Sequence, residues 1–107
     1  LDGMEAAETG ASFSAEFNGS AIVWEGLRHE DAGIAEVKID GKPLGDVDQY
    51  GYTGVHVGRM DQREVPFRWS FTDLSPGKHS IEVTVTGRKN PVSDGVGINV
   101  SNLSAYP

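Results

Sequence analysis

The 107-residue sequence predicts an all-β fold, an antiparallel sandwich or barrel of about eight short strands. Three observations carry that expectation. In Ile34–Lys42, Ala35, Val37 and Ile39 alternate with Glu36, Lys38 and Asp40, the period of two that belongs to a half-buried strand. Asn18-Gly19, Asp40-Gly41 and Pro76-Gly77 punctuate the chain with pairs suited to tight turns. Nowhere does an uninterrupted helical pattern run for ten residues.

Each segment follows from the same reading. Leu1 to Ala11 is acidic and unpatterned, and is expected to be an irregular arm or the remnant of a preceding element. Residues 12–107 are expected to form the β-sandwich domain. Ser12–Phe17 alternates, with Phe13, Ala15 and Phe17 inward, and Ala21–Leu27 places Ile22 and Trp24 on one face. After the central strand and a turn spanning Asp40–Gly45, a short strand is expected at Asp46–Tyr50. Gly51–Glu64 is irregular, save where Val55 and Val57 extend a strand. Val65–Phe71 aligns Phe67, Trp69 and Phe71. Ile81, Val83 and Val85 form the plainest strand face, and Val96, Ile98 and Val100 the last. Val37, Ile39, Ile81, Val83, Val85, Ile98 and Val100 are the expected core.

Composition removes several functions. Nine Lys and Arg against sixteen Asp and Glu leave a net charge of −7, which repels phosphate backbones and excludes nucleic acid as a partner. No apolar run approaches the roughly 20 residues that cross a bilayer as a helix, so no membrane partner is expected. The absence of cysteine removes disulfides, thiolate catalysis and cysteine–metal sites. The sequence opens at Leu1 with no signal-peptide pattern, as expected of a mature product or a domain of a longer polypeptide.

Antiparallel neighbours force successive connections to alternate between the two ends of the sandwich. Asn18–Ser20, Asp40–Gly45 and Thr72–Lys78, all short, then share one end. Leu27–Gly33, Gly51–Glu64 and Gly87–Asp94 share the other. That second end carries His29, Glu30, Asp31, Tyr52, His56, Arg59, Arg88 and Asn90, with Tyr50 at its rim. Loops held by rigid sheets are where binding residues gather.

Four segments resemble the galactose-binding-like jelly-roll domains. They are Phe17–Trp24, Ala32–Gly41, Leu74–Val83 (with its Gly-x-His turn), and the closing pieces Thr86–Asn90 and Gly97–Val100. The resemblance spans about Phe13 to Tyr106. It implies an eight-stranded jelly roll and a non-catalytic, carbohydrate-binding or carbohydrate-associated accessory module of a larger secreted or cell-surface enzyme such as a glycoside hydrolase. Its partners would be a mono- or oligosaccharide and the other domains of the parent polypeptide. A structural or adhesive module packing on a neighbouring domain is the alternative. No cofactor is expected. Some relatives carry a structural calcium, but the Asp often found where the last strand ends is here Ser101 or Asn102.

Against that background, Tyr50 and Tyr52 are candidate sugar platforms, while Trp24, Phe67 and Trp69 read as core. Arg59, Arg88 and Asn90 are candidate hydrogen-bonding groups for sugar hydroxyls or a uronic carboxylate, with surface ion pairs as the plainer reading. His56 joins them by position. His29-Glu30-Asp31 reads first as a solvated acidic loop, and cation or sugar-hydroxyl binding as its sharper alternative. The three histidines lie more than twenty residues apart, without the short spacings of zinc sites. No carboxylate pair or nucleophile is singled out, and the chain is expected not to be an enzyme.

Overall fold

The computed structural model describes residues 2–51 and 65–107. Their eight strands are β1 (Asp2–Ala6), β2 (Ser12–Asn18), β3 (Ala21–Arg28), β4 (Ile34–Ile39), β5 (Lys42–Asp48), β6 (Val65–Phe71), β7 (Lys78–Arg88) and β8 (Ile98–Tyr106). They form two antiparallel four-stranded sheets, ordered β1-β8-β3-β6 and β2-β7-β4-β5. The pairs β1–β8, β2–β7, β3–β6 and β4–β5 are those of one long hairpin rolled up with its tip at Asp40-Gly41. That is the interleaved order of a jelly-roll sandwich.

The alternating residues meet between the sheets. Val37, Val83, Val85 and Val100 are fully buried, and Ile39, Ile81 and Ile98 nearly so, beside Phe13, Ile22, Trp24 and Phe67. Trp24 packs edge-on against Phe67, ring centroids 4.8 Å apart, and donates its indole N–H to the Asn99 carbonyl. It is a core residue. Phe17, Trp69 and Phe71 pack on the rim of that core, half-buried.

Two local expectations change. Residues 2–6 are not irregular: they form edge strand β1, with Met4 opposite Val100 and Ala6 opposite Ile98. Asp-Gly-Met-Glu-Ala has little β propensity of its own, and its strand is imposed by the otherwise open edge of β8. The turn after β4 is two residues long, not six. Asp40 at φ 53° and Gly41 at φ 78° make a tight reversal, and β5 begins at Lys42. Pro43 is tolerated there because β5 is an edge strand. Gly45, at φ 118°, sits at the bulge that shifts the β4–β5 pairing between Val37 and Lys38.

One irregularity shapes the far end. Ile98 and Val100 face the core, and the next apolar residue packed on it is Leu103, three positions on rather than two. The change of phase ends the β3–β8 ladder at Glu25–Asn102. Beyond it Asn99 fills the gap with its side chain, accepting from the Leu27 N–H at 2.8 Å and donating to the Leu27 carbonyl at 2.9 Å.

Candidate functional site

The connections sort into two ends. At the turn end, Gly19 donates to the Gly77 carbonyl, Leu74 to Ser20 and Ser20 to Tyr106. His79 joins the Asp40 carboxylate to the Ser75 carbonyl. At the loop end, Gly33 donates to Gly97, Asp94 to Glu30, Gln49 to Gly33 and Gly51 to His29. Ser93 fastens this end from inside. Its buried hydroxyl lies 2.7 Å from the Ala32 carbonyl and 3.0 Å from those of Glu30 and Gly95, so its one proton serves three acceptors in turn.

Two adjoining depressions open on the loop end. The larger, about 490 Å³, is lined by Glu5 and Ala6 of β1 and Ala7 just beyond it, by His29, Asp31 and Ala32, and by Gly97, Ile98 and Asn99. The smaller, about 360 Å³, is lined by His29, Glu30, Asp31 and Asp94. His29 and Asp31 border both. His29 is placed by a parallel bridge to Tyr50, and Ala32 by one to Gly97. Gly33 has no room for a side chain, because a Cβ there would lie 2.6 Å from the Val96 carbonyl carbon.

The candidate residues of the sequence divide. Tyr50, Arg88 and Asn90 come together at the β5 side of the loop end, along two carboxylates. Asp48 accepts from the Tyr50 N–H at 2.9 Å and from the Asn90 side chain at 3.2 Å, and Asp46 pairs with Arg88 at 2.9 Å. The Arg88 hydrogen bond holds the Asp46 carboxyl below its usual range, and Arg88 is pushed up in return. Tyr50 is half-buried, and its carbonyl accepts from Arg28, whose guanidinium also lies over the Phe67 ring at 5.0 Å. Tyr52, His56 and Arg59 lie outside the described residues. That segment joins Gly51 to Val65, which are bonded to His29 and paired with Arg28 respectively. Tyr50, Arg88 and Asn90 do not line the larger depression, whereas His29 and Asp31, read first as a solvated acidic loop, do. Glu5, Ala6 and Ala7 contribute to it through β1, which sequence patterning left unrecognised. His29 and Asp31 were legible as a solvated acidic loop, with sugar-hydroxyl binding as the alternative.

The lining is rich in acceptors. Glu5 and Asp31 offer carboxylate oxygens suited to the hydroxyl donors of a polyol. Among the described residues, no three His, Asp or Glu side chains converge as a metal site requires.

No family model matches the sequence, and no curated protein matches it. Among solved structures, the fold is similar to part of a Paenibacillus xanthan lyase, with a TM-score of 0.62 at 17% sequence identity. The alignment covers 98% of this chain and 10% of that enzyme. At this identity the likeness is one of fold.

Proposed function

We propose that this chain is a non-catalytic carbohydrate-binding module of a larger secreted enzyme, with its binding surface at the loop end. The observation that carries the reading is the alignment of nearly the whole chain with one tenth of a xanthan lyase. That is the proportion of an accessory domain to its enzyme. The loop end supports it with a depression in the size range of ligand sites, bordered by hydroxyl-binding carboxylates and a histidine. Tyr50 stands next to it through the His29 bridge. Affinity is expected in the roughly micromolar to millimolar range, because a small polar ligand exchanges water hydrogen bonds for protein ones at little net gain.

A second reading, a structural module that packs on a neighbouring domain, draws on the turn end. There a depression of about 240 Å³ between the sheets is lined by Ile39, Leu44, Phe71 and Leu74, and Leu44 is 40% exposed. NMR titration of the chain with a panel of mono- and oligosaccharides separates the two. Amide shifts clustered on Glu5, His29, Asp31, Tyr50 and Asn99 support the sugar reading. Shifts confined to Asp40–Leu44 and Leu74, or none with any sugar, refute it.

A further inference from the structure

We infer that the loop-end depression takes uncharged saccharides and discriminates against carboxylated ones such as uronic acids. This names the ligand class for the sugar reading and rests on it. An anion bound here needs a cationic side chain to offset the carboxylates around it, and the described Arg and Lys side chains of this end are committed elsewhere.

The described cations near this end are Arg28, Arg88 and Lys89. Arg28 donates to the Asp48 and Tyr50 carbonyls at 3.2 and 3.1 Å and covers Phe67. Arg88 is paired with Asp46, and Lys89 donates to the Ser93 carbonyl at 2.8 Å. Residues 52–64, which lie outside the described residues, contain Arg59, Asp61, Arg63 and Glu64.

Much of the backbone is committed as well. The N–H groups of Ala32, Gly33, Asp94 and Gly97 go to the carbonyls of His29, Gly97, Glu30 and Asp31, and that of Gly95 to the Ser93 hydroxyl. The Asn99 amide is spent on Leu27. The carboxylates that line the larger depression are those of Glu5 and Asp31, with Glu30 and Asp94 along the adjoining one, and the His29 ring borders both. A sugar hydroxyl donates to such groups, whereas a sugar carboxylate adds a like charge beside them.

The test is calorimetric titration of the 107-residue chain near pH 7 with two oligosaccharides of equal length. Their residues differ only at C6, hydroxymethyl in one and carboxylate in the other. At low salt the neutral member should bind about tenfold more tightly, the effect of a few like charges several ångströms apart in a water-rich medium. The gap should narrow as salt screens the repulsion. In an E5Q/D31N double variant it should shrink to about threefold or less. Equal or tighter binding of the uronic member, insensitive to salt, would overturn this inference and leave the sugar reading standing. Failure of both members and of the wider saccharide panel would overturn the two together.

Discussion

Gln49 grips the main chain of Asn99 at both of its polar atoms. The Asn99 N–H donates to Gln49 Oε1 at 3.0 Å, and Gln49 Nε2 donates to the Asn99 carbonyl at 2.9 Å. Asn99 repeats the arrangement one step further on, with its own side-chain amide on the main chain of Leu27. Two amide side chains thus replace the stretch of ladder lost where β3 and β8 part. They tie the connection after β5 to the strand that borders the larger depression.

Removing that grip exposes its contribution. Gln49 is fully buried, so Gln49→Ala strips the Asn99 N–H of its acceptor, leaves the Asn99 carbonyl with the Trp24 indole as its side-chain donor, and opens a cavity. The expected loss is roughly 2–4 kcal/mol, read as a lower midpoint in urea unfolding. Gly26→Ala attacks the same place from β3. Its Cβ would lie 2.6 Å from Asn99 Oδ1 and 2.9 Å from Gln49 Nε2, and about 1–3 kcal/mol should be lost to overpacking. If both variants unfold with the parent midpoint, the network is ornamental.

The core should respond in the ordinary way for its chemistry. Val83 is fully buried in the middle of β7, paired with Phe13 and Val37. Val83→Ala is expected to cost about 1–3 kcal/mol in the same measurement. A cost below about half a kcal/mol would mean that the sheets do not meet there.

Stability should depend on pH through His79. Both of its ring nitrogens face acceptors, the Ser75 carbonyl at 2.6 Å and the Asp40 carboxylate at 2.5 Å, which favours the doubly protonated ring. The Ser75 carbonyl first, and Asp40 with it, raise the His79 pKa above its ordinary 6.5. The hydrogen bond from His79 is the largest cause lowering Asp40 below 3.8. The signs then set the window. A raised histidine contributes fully below about 6.5 and loses its contribution as pH climbs through the raised value. A lowered aspartate contributes above about 3.8 and loses its contribution as pH falls through the lowered value. The latch is therefore complete between about pH 4 and 6.5 and weakens on the alkaline side. Comparing the melting temperatures of the parent chain and His79→Gln across pH 4 to 9 checks it. Their difference should be largest in the acidic window and shrink above neutrality, and a difference independent of pH would refute the charged state.

Catalysis should be absent. The purified chain is expected to give no turnover on glycoside, uronide, ester or peptide substrates. Activity that copurifies with the chain and disappears on replacing Glu5 or Asp31 would show otherwise.

Much of the fold was legible because its signals are local. Alternation around Val37 and Val83 set which faces turn inward, and the Asp-Gly pair set the hairpin at the tip. Counting antiparallel connections was enough to place Leu27–Gly33 and Gly87–Asp94 at the same end, where Asp94 now bonds to Glu30. The site was less legible. Arg88 and Asn90 offered themselves as ligand groups by type, yet Asp46 and Asp48, forty-two residues away in sequence for each pair, occupy them.

What the sequence determined by itself is the set of strands with an apolar face and the turns between them, since alternation and positive-φ pairs act over a few residues. The tertiary structure decided the rest. β1 is a strand only because β8 offers it an edge. Gln49 is a core residue only because β3 and β8 separate beside it. The larger depression exists only where the end of β1, the 29–32 loop and the start of β8 meet. Those outcomes depend on pairing and hydrogen-bond satisfaction between segments up to a hundred residues apart, as Asp2 and Asn102 are when paired in β1 and β8. A polar side chain's role is set by which partner arrives, which its neighbours in sequence do not encode.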